Sequence, residues 1–139
     1  MAPHEPVLLD TSIWIRCLRP RGAVELKSAV QERVARGLVA TCSIVKTELL
    51  TGAKNPADFE TLSEVLGALI EIPMTGAFWD EVARLGYSLR KQGLIVPLPD
   101  LAIAQCAISS ERILWHTDQD FERIQQRTSL RTMHCPRDD

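Results

Sequence analysis

Short apolar runs alternate along the chain with segments whose apolar residues are spaced three or four positions apart. The runs predict a buried β-strand over residues 7–10, further strands over 38–42, 70–72 and 113–116, and an edge strand over 130–133. The wider spacing predicts amphipathic helices between them, because residues three or four apart share one helix face. Strands that alternate with helices indicate an α/β fold, with a mainly parallel sheet of about five short strands flanked by helices.

Capping and turn residues set the limits of the predicted helices. The first helix begins at Thr11 or Ser12, where a hydroxyl is a suitable N-cap. Ser43 is the predicted N-cap of a helix that runs to about Leu50, and Pro99 suits the first turn of a later helix. The other predicted helices cover residues 23–34, 59–69, 78–89 and 118–126.

Length and composition favour one cytoplasmic domain over residues 1–139. A hydrophobic fraction of 45% supports a core, and 139 residues match the size of a single domain. The chain has no run of 18 apolar residues, which predicts no membrane span, and its first residues lack the features of a secretory signal. Four scattered cysteines without a Cys-x-x-Cys pair favour reduced thiols over disulfides or zinc ligands.

The charge balance does not by itself indicate a nucleic-acid-binding protein, because the formal net charge is −2. The cations are concentrated early in the chain, where Arg16, Arg19 and Arg21 follow Asp10 closely. This cluster fits two interpretations, a phosphate-binding charge near an acidic site or a solvated basic turn.

Four acidic residues occupy the ends or edges of apolar segments: Asp10, Glu48, Asp100 and Asp118. Two of them follow predicted strands, and a third opens a predicted helix. Half-buried carboxylates are unfavourable unless they are hydrogen-bonded, paired or bound to a cation. Ligands bind at the carboxyl ends of the strands in parallel sheets, so we expect these acids to share a site.

The candidate ligands are hydroxyl and carboxylate oxygens, and the chain has few histidines. Such a ligand set favours Mg²⁺ or Mn²⁺ over zinc. The wide separation of the acids along the chain excludes a calcium-binding EF-hand loop. Each acid alone also has a structural explanation, as a helix cap, a favourable charge at a helix N-terminus or a solvated side chain. Considered together, they predict a Mg²⁺-dependent site for phosphoryl-transfer chemistry.

Four sequence blocks resemble, in order, the motifs of the PIN domain family, and in particular its VapC toxin branch. They are Leu9-Asp10-Thr11-Ser12-Ile13-Trp14, a second block from Ser43 to Gly52 around Glu48, Pro99-Asp100-Leu101-Ala102-Ile103-Ala104, and Thr117-Asp118-Gln119-Asp120-Phe121. The resemblance covers essentially the whole chain, and it implies a PIN-like fold and a metal-dependent endoribonuclease.

The resemblance also implies roles for individual residues. Asp10, Glu48, Asp100 and Asp118 would form the catalytic and metal-binding quartet, with support from Thr11, Ser12 and Thr117. Where the family often has a threonine two residues before the fourth acid, this chain has His116. Asp120 is therefore the alternative fourth acid.

The family's chemistry and partners follow from the same resemblance. Mg²⁺, with Mn²⁺ as a substitute, would activate a water for attack on an RNA phosphate. A small VapB-like antitoxin would bury apolar surface around the early helices and insert a basic side chain among the carboxylates, and a homodimer is also implied. The candidate RNA-binding cations are Arg16, Arg19, Arg21 and Lys46.

Three other interpretations compete with a nuclease. One is a catalytically silent PIN-like module that binds RNA or a protein. A haloacid-dehalogenase-like phosphatase is disfavoured because Ser12 stands where that chemistry needs a second aspartate. A receiver domain is disfavoured because no lysine follows Lys91.

Overall fold

The computed structural model describes residues 5–136, in which the strands form one parallel sheet. The strands are β1 Val7–Leu9, β2 Val39–Thr41, β3 Ile70–Glu71, β4 Ile113–His116 and β5 Thr132–His134. Their order across the sheet is β3-β2-β1-β4-β5, and each neighbouring pair is parallel. The predicted α/β fold with a five-stranded sheet is therefore confirmed.

Seven helices flank this sheet within the described residues. They are α1 Thr11–Leu18, α2 Val24–Ala35, α3 Ser43–Thr51, α4 Pro56–Gly67, α5 Gly76–Lys91, α6 Leu98–Ser110 and α7 Gln119–Gln125. Across residues 5–136, no helix has both the length and the apolar character needed to cross a membrane.

Several predicted boundaries differ from the observed ones by one to three residues, and both predicted hydroxyl N-caps were wrong. Asp10, and not a hydroxyl residue, is the N-cap of α1, and its side chain accepts a hydrogen bond from the Ser12 N–H. The N-cap of α3 is Cys42, which makes no side-chain capping bond, and Ser43 is already helical. The last strand begins at Thr132 and not at Leu130. Leu130 is buried in the core but lies outside the residue pairs that join β4 to β5.

The central strand β1 explains where the site forms. All three of its residues are completely buried, and it pairs with β2 on one side and β4 on the other. The chain adds β2 and β3 on one side of β1 and then moves to β4 and β5 on the other. Such a switch in strand order opens a crevice at the carboxyl ends of the two diverging strands, here β1 and β4.

Candidate active site

Asp10 occupies the end of β1, in the crevice beside β4. Its side chain is only 6% exposed, and its Oδ2 accepts hydrogen bonds from the Ser12 N–H at 3.2 Å and the Ser12 Oγ at 2.5 Å. Burial raises the pKa of Asp10, although the bonds from Ser12 oppose the rise. Ser12 therefore orients this carboxylate.

Glu48 reaches the same crevice from α3. It is exposed, and the Thr11 Oγ1 donates a hydrogen bond of 2.7 Å to its Oε1. Because Thr11 is the first residue of α1, this bond joins α1 to α3 beside Asp10. The two hydroxyl residues after Asp10 thus bind different carboxylates, Thr11 that of Glu48 and Ser12 that of Asp10.

Asp100, in the first turn of α6, carries the clearest electrostatic sign of a shared site. Burial and then the negative charges of four other carboxylates raise its pKa to about 6. These charges belong, in order of effect, to Asp10, Asp118, Asp120 and Glu48. Five acidic side chains from four parts of the chain therefore face one another across the crevice.

Asp118 and Asp120 lie in the turn between β4 and α7 and in the first turn of α7. The carboxylate oxygens of these two residues and of Asp100 lie within 4.8 Å of one another. Asp118 also caps α7, because its Oδ1 accepts a 2.9 Å bond from the Asp120 N–H. The two acids that the sequence offered as alternatives thus lie side by side next to Asp100, with the half-buried Thr117 just before them.

The donor set of this trio fits a hard divalent cation. Its three ligand groups are all carboxylates, with no thiolate or imidazole among them. Oxygen donors suit Mg²⁺ and Mn²⁺, whereas zinc sites usually contain nitrogen or sulfur ligands. A divalent cation would also relieve the repulsion that raises the pKa of Asp100.

A buried histidine supports the turn that carries Asp118, and sequence reasoning missed its contacts. The His116 Nδ1 accepts the Asp118 N–H at 3.1 Å, and the His116 Nε2 lies 2.8 Å from the Glu122 Oε1. Burial lowers the pKa of His116, which is completely inaccessible to solvent. The position of His116, two residues before Asp118, was a signal in the sequence. The contact between Glu122 and Thr132 was not visible from sequence spacing, because it joins α7 to β5.

The four cations predicted to contact RNA have different surroundings. Arg16 is buried, and its Nη1 donates to the Cys135 carbonyl at 3.1 Å, so contact with RNA would require it to leave this position. The Lys46 Nζ lies 2.6 Å from the Glu71 Oε1. Arg19 and Arg21 are exposed in the segment between α1 and α2. Their contact with RNA stays a prediction.

Comparison with known proteins agrees with this architecture. Residues 7–126 match the family model of the PIN domain. Ribonuclease VapC21 from Mycobacterium tuberculosis is 31% identical over 120 residues, which cover 84% of each chain. Ribonuclease VapC18 from the same organism is 27% identical over 120 residues, covering 84% of this chain and 85% of the relative.

Solved structures show the same fold at lower identity. VapBC2 from Rickettsia felis, bound to a promoter DNA fragment, gives a TM-score of 0.73 at 23% identity, covering 92% of this chain and 97% of that chain. DNA-bound VapBC from Salmonella typhimurium gives a TM-score of 0.74 at 19% identity, covering 94% and 98%. These matches confirm the family membership that the four acidic blocks predicted. The chain belongs to the PIN domain family and, within it, to the VapC group.

Proposed function

We propose that the chain is a Mg²⁺-dependent endoribonuclease and the toxin of a type II toxin–antitoxin pair. The observation that carries this proposal is the convergence of five carboxylates at the switch point of the sheet, where burial and the charges of the other four raise the pKa of Asp100 to about 6. The names of the related VapC ribonucleases support the reaction class.

The acidic trio of Asp100, Asp118 and Asp120 would hold the divalent ion, with Mn²⁺ as a substitute for Mg²⁺. When bound, such an ion supplies Lewis acidity, which lowers the pKa of a water and offsets charge on the phosphate. Asp10 and Glu48, the other predicted metal ligands, would complete this site beside the trio, and Ser12 and Thr11 hold these two side chains in place.

The carboxylates would also place the attacking water. A carboxylate that binds a divalent ion stays ionised and is a poor proton acceptor, so the pKa of about 6 for Asp100 applies to the metal-free chain. We assign to the acidic cluster the orientation of the water for attack on the phosphorus atom, and the ion would lower the pKa of that water.

Cleavage of RNA by the purified chain tests the proposal. We expect cleavage with Mg²⁺ or Mn²⁺, none in EDTA, and a loss of about 100-fold or more in Asp10→Asn and Asp100→Asn. Asp80→Asn is a matched control, because Asp80 is an exposed acid on α5 outside the cluster. A wild-type chain that does not cleave, or active Asp10→Asn and Asp100→Asn variants, would instead indicate a silent binding module.

The RNA substrate itself is best identified by sequencing RNA ends after expression of the wild-type chain and, separately, of Asp10→Asn. Arg19 and Arg21 are the exposed cations proposed to contact the phosphate backbone. New ends should appear only with the wild-type chain, at a limited set of sites. The same ends in both samples would rule out the chain as their source.

We further propose that the antitoxin docks on an apolar groove formed by α1, α2 and α4. The groove is lined by Trp14, Cys17, Leu18, Val30, Val34 and Val65, among others. Leu18 is 55% exposed, so it is available to an apolar segment of the partner. The structural neighbours from Rickettsia felis and Salmonella typhimurium are VapBC assemblies, which supports a partner of this class.

A charge introduced into the groove tests this docking surface. We expect Leu18→Glu to weaken capture of the small protein encoded beside this chain by about tenfold or more. Val24→Glu is the control, because Val24 is 76% exposed and lies outside the groove. Equal capture by wild type and Leu18→Glu would exclude the groove.

A homodimer is proposed on a second exposed apolar face, built by α5, α6 and the segment between them. Its exposed members are Trp79, Tyr87, Ile95 and Leu98. Clustered apolar side chains of this kind mark interaction surfaces. Light scattering should give a dimeric mass for wild type and a monomeric mass for Ile95→Glu, and a monomeric wild type would contradict the proposal.

A further inference from the structure

A polar chain of side chains connects the acidic trio to the last strand through His116. This residue ends β4 and is completely buried. Its Nδ1 accepts the backbone N–H of Asp118 at 3.1 Å, and its Nε2 lies 2.8 Å from the Glu122 Oε1. The imidazole therefore touches the turn that presents Asp118 without itself being a member of the acidic cluster.

These two contacts fix the tautomer of the ring. A ring nitrogen that accepts a hydrogen bond carries no proton, so the neutral imidazole bears its proton on Nε2. That N–H then points at a carboxylate oxygen of Glu122. Each nitrogen of His116 is thus satisfied in one orientation only, because a ring flip would replace Nδ1 with the carbon Cδ2 beside the Asp118 N–H.

The far end of the chain is anchored as well. The Thr132 Oγ1 lies 2.8 Å from the same Glu122 oxygen, and the Thr132 N–H donates to the Gln125 Oε1 at 2.7 Å. Thr132 belongs to β5, which pairs with β4. The carboxylate of Glu122 is therefore held between His116 and a strand of the sheet.

Packing holds the ring plane. His116 stacks on His134, its partner in the β4–β5 register, with ring centroids 5.2 Å apart and planes 18° from parallel. Phe121 packs against the ring from α7 at a centroid distance of 5.2 Å. The imidazole is consequently fixed by contacts from β5 and α7.

We propose that His116 is a positioning residue whose Nδ1 holds the Asp118 backbone, and so fixes the turn that places Asp118 and Asp120 beside Asp100. Only Thr117 and Asp118 separate the end of β4 from α7, so a displaced N–H displaces both carboxylates. The proposal rests on the proposed function in one respect, the use of these carboxylates as metal ligands.

Two substitutions separate the roles of the two ring nitrogens. In His116→Asn the amide oxygen lies near the position of Nδ1, so the bond from the Asp118 N–H is kept while the contact with Glu122 is lost. In His116→Gln an amide N–H reaches toward Glu122, but the acceptor for Asp118 is lost. Both variants remove the stacked ring, which makes each the control for the other.

Hydrogen exchange of the Asp118 amide and Mn²⁺ affinity are the measurements. We expect His116→Gln to speed exchange at Asp118 and weaken Mn²⁺ binding by about tenfold or more, and His116→Asn to stay within about threefold of wild type. Equal losses in both variants, or no loss in His116→Gln, would overturn the proposal, since packing alone would then explain the role of the ring.

The wild-type protein gives a readout that needs no substitution. Nitrogen NMR of His116 should show the proton on Nε2 together with slow exchange at the Asp118 amide. A proton on Nδ1, or fast exchange, overturns the proposal even if both variants fail to fold. These readouts need neither metal nor RNA, so a wild-type chain that cleaves no RNA would overturn the proposed function and leave the positioning role to be decided by exchange.

Discussion

At the scale of single residues, Asp100 carries an unfavourable interaction that a bound cation would relieve. Its half-buried carboxylate faces four other acids, and burial and repulsion together raise its pKa from 3.8 to about 6. At neutral pH the metal-free protein therefore keeps this group ionised at the expense of stability. Such local instability is a common property of binding and catalytic sites.

The first prediction is that Asp100→Asn stabilises the metal-free protein. The folded pKa is raised, so the folded state binds more protons than the unfolded state, and the wild-type chain loses stability as pH rises from about 4 to about 6. In EDTA at pH 7.5, urea denaturation should show a gain of about 1 kcal/mol in Asp100→Asn, a value reduced for solvent screening.

The pH dependence supplies the control for this prediction. The difference between wild type and Asp100→Asn should disappear below pH 3.8, where the carboxyl group is protonated in both states. A variant that is less stable than wild type at pH 7.5 in EDTA would show that repulsion does not act on Asp100.

The second prediction concerns the hydroxyl of Thr11. Its 2.7 Å bond fixes Glu48, which is exposed and would otherwise sample several rotamers. Thr11→Val should reduce RNA cleavage several-fold and change the free energy of unfolding by no more than about 1 kcal/mol. Thr11→Ser keeps the hydroxyl and should retain activity, so equal activity in the valine and serine variants would contradict the role.

At the scale of elements, most of the acidic residues of the site lie at the ends of helices and strands. Asp10 caps α1, Asp100 lies in the first turn of α6 and Asp118 caps α7, whereas Glu48 projects from within α3. Negative charge at helix N-termini is favourable, so these positions offset part of the unfavourable free energy of bringing the carboxylates together.

The third prediction separates stability from activity at this scale. Asn55 caps α4, away from the acids, and its side chain accepts the Asp58 N–H at 2.8 Å. Asn55→Ala should lower the free energy of unfolding by about 1 kcal/mol and leave RNA cleavage unchanged. Asn55→Ser, which keeps an acceptor oxygen without adding a charge beside Asp58, should restore most of the stability, and reduced cleavage in Asn55→Ala would contradict the separation.

Elements were predictable from sequence where local pattern determines them. The buried run before Asp10 and the proline before Asp100 placed β1 and α6 within one or two residues. The joint presence of Asp118 and Asp120 beside Asp100 was not predictable, because it depends on how α7 packs after β4. The bond from Thr132 to Glu122 was equally hidden, since it joins two elements across the sheet edge.

At the scale of the whole molecule, one apolar core supports an acidic edge. The core extends from Val7 in β1 to Cys135 beyond β5, and the acids lie where the strand order switches. A ligand that binds this edge only in the folded state stabilises the entire domain through linkage.

The fourth prediction follows from this linkage. Mn²⁺ at 100 times its dissociation constant should add about 2.7 kcal/mol to the free energy of unfolding and raise the Tm by about 5–10 °C. Asp100→Asn should lose most of that shift, and the matched control Asp80→Asn should keep it. A Tm that does not respond to Mn²⁺ in wild type would contradict metal binding to the folded chain.

The central claim is that the acidic trio of Asp100, Asp118 and Asp120 holds a divalent ion, and the position of that ion is its most direct test. Anomalous diffraction from crystals grown with Mn²⁺ measures this position without reference to activity. We predict an anomalous peak within coordination distance of carboxylate oxygens from all three residues, and its loss in Asp100→Asn. A well-occupied Mn²⁺ elsewhere on the wild-type protein, with none at the trio, would contradict the claim.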